Sequence, residues 1–285
     1  MKIRALVDGI ERVTALDRPG NRLQSVVTKV LRGRVRDMLH GVWLGHPIHP
    51  IAVLVPIGSW LSASLLDAMR INHKAPTTLI KAGTAGAVAA AITGLNDWSS
   101  LTREQRRTGL VHAASNTVAL GLQIASLAAR RRGDLRTGRW LSYAGLAAVG
   151  FGGYLGGHLS YRQAASVNQA EPLLRRIPEG WHAVCDLESL TPGRPQVHHI
   201  DEVPVLVVRT NDDDVTVMIE RCGHETGPLG EGEVRRIDGA DCVVCPWHGS
   251  TFRLTDGIAV HGPASTTQPL LRSRVRDGLV EAALP

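Results

Sequence analysis

Four side chains with metal-binding chemistry stand in two short segments, Cys222-Gly223-His224 and Cys245-Pro246-Trp247-His248, with twenty residues between them. Thiolate and imidazole are the ligands that zinc and iron–sulfur centres share. Zinc takes two Cys and two His tetrahedrally, and such a site would be structural. A [2Fe–2S] cluster takes two thiolates on one iron and two imidazoles on the other. Zinc sites usually keep the two Cys together and the two His together. Here each segment supplies one of each, as two loops gripping a pair of irons from opposite sides require. Cys242 makes a Cys-x-x-Cys with Cys245, but Val243-Val244 marks that stretch as a strand, where Cys is a small buried hydrophobe. No catalytic nucleophile or acid–base pair stands out, so the expectation is a carrier with no separate catalytic site.

The elements that must position these ligands are short β runs. Val203–Arg209 and Val215–Ile219 flank the turn-like 210–214, and Val243-Val244, Phe252–Leu254 and Ile258–Val260 follow, with Asp256-Gly257 as a tight turn. Glu231–Asp241, between the two ligand segments, reads as an enlarged hairpin. Before this all-β region, Ser166–Gly180 is polar and contains Pro172 and Pro178, the pattern of a linker. The expected boundaries are an amphipathic segment 1–45, a helical domain 46–163, a linker 164–180 and a β domain 181–285.

The runs Cys222-Gly-His-Glu-Thr-Gly-Pro-Leu229 and Cys245-Pro-Trp-His-Gly-Ser-Thr-Phe252, followed by Asp256-Gly257 and His261-Gly-Pro-Ala264, resemble the Rieske [2Fe–2S] family over about residues 175–285. The resemblance implies that Cys222 and Cys245 ligate one iron and that His224 and His248 ligate the outer, more exposed one. The interval between the loops is longer than the family's common spacing. Rieske subunits of respiratory and photosynthetic complexes carry a further cysteine in each loop, joined as a disulfide; the corresponding places here hold Gly227 and Trp247. The domain is therefore similar to the ferredoxin type that serves oxygenases and reductases. High-potential relatives donate hydrogen bonds from a serine and a tyrosine after the second loop. This chain keeps Ser250 as a cluster-tuning residue but has Phe252, which cannot donate. A potential in the lower part of the Rieske range of ~−150 to +300 mV is expected.

The other half is apolar. Four stretches have membrane-spanning length, Ile51–Met69, Leu79–Leu95, Gly109–Ala129 and Trp140–Leu159, since a span needs ~20 mostly apolar residues. The fourth carries small-xxx-small pairs, Gly152 with Gly156 and Gly153 with Gly157, which permit close helix approach in lipid. Ahead of them, Leu23, Val26, Val27, Val30, Leu31, Val35, Met38 and Leu39 form a helical stripe beside Arg22, Lys29, Arg32 and Arg36, a pattern that can lie on a membrane surface. The opening Gly45-His-Pro-Ile-His-Pro50, with Asn96-Asp97-Trp98, His112 and Gly156-Gly157-His158, resembles a bacterial four-span membrane domain of unknown function over about residues 5–168. His46, His49, Asp97, His112 and His158 all fall at span ends expected on one membrane face. Ionisable groups near spans default to functional candidates. A b-type haem or metal, a quinone pocket, or helix capping with interfacial hydrogen bonding are the competing uses.

Charge splits the same way. Residues 1–166 sum to +13 and residues 167–285 to −7, which argues for two environments and against a uniformly basic nucleic-acid binder. Four cysteines in 285 residues exclude a disulfide framework. Lys and Arg near the spans divide eight against seven, so they leave orientation open. The absence of a bridge favours cytoplasmic termini. The expected fold class is α and β in separate domains, a transmembrane four-helix bundle followed by an all-β Rieske domain. The expected role is one-electron transfer at the cell membrane, with lipid and unknown electron donor and acceptor proteins as partners. A quinone- or haem-linked membrane oxidoreductase and a redox sensor are the alternatives.

Overall fold

The computed structural model describes residues 7–70, 72–211 and 214–285. Residues 1–6 of the amino-terminal segment and Asp212 and Asp213 of the expected turn lie outside the described residues. The chain divides into two compact units, residues 1–33 with 48–165 and residues 34–47 with 166–285. That division departs from the expected boundaries at two places. Residues 34–47 do not continue the leading amphipathic segment but pack with the β unit. The stretch expected as a linker also belongs to the β unit, because Ala170 and Ile177 bury themselves in its core.

In the helical unit, a helical turn at Thr14–Leu16 leads into α1 (Asp17–Val30). A single helical turn, His49–Ala52, with Pro50 in its first positions, leads into α2 (Leu54–Ala68). Then come α3 (Lys74–Trp98), α4 (Arg103–Arg131) and α5 (Leu135–Tyr161). Local chemistry sets the boundaries. Thr102 accepts from the Gln105 backbone N–H while the Gln105 side chain accepts from the Thr102 N–H, a reciprocal cap that starts α4. The Asp134 carboxylate accepts from Thr137 N at 3.0 Å and starts α5. The helices pack in a ring, α2 on α3, α3 on α4, α4 on α5 and α5 on α2.

Among the described residues, three helical segments are long and apolar enough to cross a membrane, His49–Ala68, α3 and α4. The expected fourth, α5, has the length, but its seven glycines dilute its hydropathy below that of the others. Those glycines serve packing. Gly138, Gly145 and Gly152 recur every seven residues along α5 and seat Arg130, Gln123 and Asn116, which recur every seven along α4. A Cβ at Gly145 would stand 2.8 Å from Gln123 Nε2, and one at Gly138 2.6 Å from Arg130 Cγ. Of the expected small-residue pairs, Gly152 and Gly156 do seat α4 side chains, Asn116 and His112. Nothing lies within 4 Å of a Cβ at Gly153, and only Tyr161 of α5 itself does so at Gly157.

Among the described residues, the β unit contains ten strands, all paired antiparallel. They are β1 (His182–Asp186), β2 (Pro195–Ile200), β3 (Val203–Arg209), β4 (Val215–Ile219), β5 (Glu233–Ile237), β6 (Ala240–Val244), β7 (Thr251–Arg253), β8 (Ala259–His261), β9 (Leu270–Arg276) and β10 (Leu279–Ala283). Six form one sheet in the order β1-β10-β9-β4-β3-β2, and β5-β6-β7-β8 form a second. Alternation along β3 divides the interior. Val205 and Val207 face one core with Val217 and Ile219, while Leu206 and Val208 face the other with Met218, Cys222, Cys245 and Phe252. The second core is the floor beneath the ligand loops. The enlarged hairpin is β5–β6, closed at Asp238-Gly239 with both residues at positive φ, 47° and 84°. That is the turn geometry whose twist matches antiparallel strands.

Candidate metal centre

The two ligand loops are built alike. In the first, which follows β4, Cys222 N donates to Gly227 O at 2.9 Å and Thr226 N donates to Cys222 O at 2.9 Å. In the second, between β6 and β7, Cys245 N donates to Ser250 O at 2.8 Å and Gly249 N to Cys245 O at 3.1 Å. Each cysteine thus heads a loop closed onto the residues four and five places on. The residue four on, Thr226 or Gly249, takes a left-handed conformation, φ 58° and 79°. The ligand histidine lies two residues after the cysteine in one loop and three after it in the other.

This construction pairs the donors, Cys222 with Cys245 and His224 with His248. Cys222 and Cys245 are buried in the second core, and His224 is 9% exposed, while His248 lies at the surface. The two imidazoles stand edge to face with centroids 5.0 Å apart. Gly227 is needed for the approach, because a Cβ there would stand 2.8 Å from Cys245 Sγ and 3.2 Å from Trp247 Cγ. The Trp247 ring therefore occupies the space beside Gly227, at the two places where disulfide-bearing relatives carry cysteine. All four cysteines are free.

The electrostatics suit a cation. Burial, followed by the charge of His248, pushes the His224 imidazole down to about 3, so it is neutral and has a lone pair to give. The two thiols are hydrogen-bonded to each other. The hydrogen bond between them raises Cys222 and lowers Cys245, which also accepts from the Trp247 and His248 amides. Two buried thiolates side by side need positive charge between them, and a bound metal supplies it. The donor set therefore fits a metal centre.

Supporting residues hold the loops. The Gln268 side chain, fully buried, accepts from Gly223 N at 2.9 Å and donates to Ile219 O and Arg221 O at 2.7 and 2.8 Å. Gln169 N donates to Gly223 O at 2.8 Å from the stretch expected as a linker. Ser250, also buried, accepts from Ala264 N at 3.0 Å and turns its hydroxyl to Cys222. Phe252 lies wholly inside the second core. Gln268 and Gln169 escaped the sequence reading because no local pattern marks a glutamine whose partners lie about 50 residues away.

Residues 180–273 match the family described as Rieske [2Fe-2S] domain, and residues 45–169 match the family described as predicted membrane protein (DUF2231). Among similar proteins, the cholesterol 7-desaturase of Drosophila melanogaster is 30% identical over 92 residues, 32% of this chain and 21% of that protein. A human Rieske domain-containing protein is 37% identical over 49 residues, 17% of this chain and 31% of that protein. The chain therefore spans only about a fifth to a third of these relatives. Among solved structures, the ferredoxin of carbazole 1,9a-dioxygenase from Nocardioides aromaticivorans is 23% identical, with a TM-score of 0.34, covering 38% of this chain and 100% of that one. By the family match, residues 180–273 are a Rieske domain, whose cofactor is a [2Fe–2S] cluster. The particular form is a fusion, in which that domain follows a DUF2231 membrane domain.

The polar residues of the membrane half gather only in part. His49 and His112 meet edge to face, centroids 6.3 Å apart. His49 Nδ1 donates to Ala90 O at 2.9 Å. His112 Nδ1 lies 2.7 Å from Gly152 O, which only accepts, so Nδ1 carries the proton. His112 Nε2 then accepts from Asn116 Nδ2 at 3.0 Å. His158 pairs with Glu11 at 3.1 Å. Asp97 is half-buried near the end of α3, and His46 belongs to the β unit, exposed. Sequence reading missed the ion pair of Asp67 with Arg130, whose side chains are 1% and 2% exposed. The matched seven-residue spacing of α4 polar residues and α5 glycines was the signal that marked this interior.

Proposed function

We propose that this chain is a membrane-anchored electron carrier that passes single electrons at the membrane surface through its Rieske domain. The observation that carries the reading is that two like-built loops pair their cysteines in the buried core and their histidines beside each other. Bound there, a [2Fe–2S] cluster supplies reversible one-electron chemistry. Cys222 and Cys245 hold its inner side in the dry second core. His224 and His248 hold its outer side, and exposed His248 beside exposed Trp247 offers the edge at which donor and acceptor proteins approach. Ser250 contributes one hydrogen bond towards the sulfurs, and Phe252 contributes none, which favours a potential low in the Rieske range. Four crossings, including α5, with both termini cytoplasmic, complete the reading. Trp140, Phe151 and Tyr154 turn outward from α5 and give it an apolar outer face.

Electron paramagnetic resonance on reduced membranes bearing the full chain tests this. A reduced-state signal coupled to two imidazole nitrogens is expected, with iron and inorganic sulfide present in equal amounts. One zinc and no sulfide per chain would overturn it.

A further inference from the structure

Residues 34–47 are flanked on both sides by chain of the helical unit, yet they pack with the β unit. Their helix, Gly33–His40, carries Asp37, which is 18% exposed. One carboxylate oxygen of Asp37 lies 2.9 Å from His261 Nδ1, and the other accepts from Gly262 N at 2.9 Å. His40, one turn on and 3% exposed, lies against Gly262, where an added Cβ would stand 3.0 Å from its Cδ2. These contacts hold the loop 261–264 from outside. From inside the same loop, Ala264 N donates to Ser250 Oγ at 3.0 Å. An oxygen that accepts there is left with its own proton to direct elsewhere, and that proton is turned to Cys222.

We propose that Asp37 is a positioning residue of the metal centre: from a segment amino-terminal to the membrane helices it fixes the 261–264 loop, and through Ala264 the Ser250 hydroxyl that faces Cys222. The inference rests on the reading of the four ligands as a cluster site and adds to it a residue more than 180 positions away in sequence. Asn at 37 keeps the size of Asp but offers a single acceptor oxygen and places an amide donor where the second oxygen stood. It therefore gives up one of the two contacts to the loop.

The test is a double-mutant cycle on the full chain in membranes, reading the midpoint potential of the centre. Ser250→Ala lowers the potential by removing a hydrogen bond to the sulfur. Asp37→Asn lowers it in the same direction, and the double variant falls no further than Ser250→Ala alone. A rise or no change in Asp37→Asn, as a distant negative charge alone would give, overturns the proposal, and so do fully additive shifts. Hydrogen exchange on the unmodified protein gives a second reading that needs no variant. The Gly262 and Ala264 amides are expected to exchange slowly in the wild type, and fast exchange there overturns the proposal. A wild type without a cluster signal would instead remove the cluster reading, while the exchange measurement would still report on the Asp37 contacts to the 261–264 loop.

Discussion

The two units bury opposite things. In the β unit, Val205, Leu206, Val207, Val217 and Ile219 are wholly inside. In the helical unit, Leu54, Leu65 and Val118 are each more than half exposed, while Asp67, Gln123, Ser126, Arg130 and Ser142 are buried. The difference follows from the solvent. Water drives apolar side chains inward, whereas lipid is as apolar as leucine and gives helices no such reason to associate. In the helical unit, packing and hydrogen bonds take over. Gln123 and Ser142 exchange bonds at 3.1 and 3.2 Å, Ser126 Oγ donates to Gly138 O at 2.6 Å, and Arg130 Nη1 donates to Asp67 Oδ1 at 3.1 Å. An apolar exterior of this extent on four packed helices is the surface of a membrane domain.

Five substitutions sharpen that contrast or break it. The largest effect belongs to Cys245→Ser, which should abolish the reduced-state resonance signal outright while the chain still sediments with membranes. Loss of membrane association in this variant would show that the two units do not act separately. Next is Asp67→Ala, which strands the buried Arg130 guanidinium and should cost about 3–5 kcal/mol in reversible detergent unfolding of the helical unit. Its cluster signal should stay intact. A paired comparison follows. Leu206→Ala should cost about 2–5 kcal/mol because it empties a packed core, whereas Leu65→Ala, on an outward face, should stay within about 0.5 kcal/mol. Equal costs for the two leucines would refute the assignment of two solvents. The smallest effect is Thr226→Gly, where glycine accepts φ 58° without the Cβ penalty, a gain of up to about 1 kcal/mol in β-unit stability. Denaturant midpoints of the cluster-loaded protein measure it.

Some elements were legible in the chain and some were not, for identifiable reasons. β3 and β4 fall on the expected Val203–Arg209 and Val215–Ile219, because valine-rich runs bounded by turn residues carry their own signal. The strands expected at Phe252–Leu254 and Ile258–Val260 lie one residue away, at Thr251–Arg253 and Ala259–His261. β1, β2, β9 and β10 were not anticipated. β9, Leu-Leu-Arg-Ser-Arg-Val-Arg, exposes alternate arginines, and its pairing with β4 through Leu270 and Leu271 spans about fifty residues. The linker expectation failed for a related reason. Proline and polar residues mark a break in regular structure, but Ala170 and Ile177 still find a core to enter.

The four side chains that pair at the two loops, the division into a helical and a β part and the apolar character of the amino-terminal half were already legible in residue type and spacing, because thiolate, imidazole and long apolar runs carry their chemistry locally. Tertiary structure decided how the loops are held: Gln268 and Gln169 at Gly223, Asp37 at Gly262, and Trp247 in the space beside Gly227. It also decided that residues 34–47 pack with the β unit and that Asp67 meets Arg130. Each of these is a hydrogen bond, ion pair or close packing contact between side chains and backbone, most of them far apart in sequence. Such contacts are favourable only after the intervening chain has folded, so no local pattern announces them.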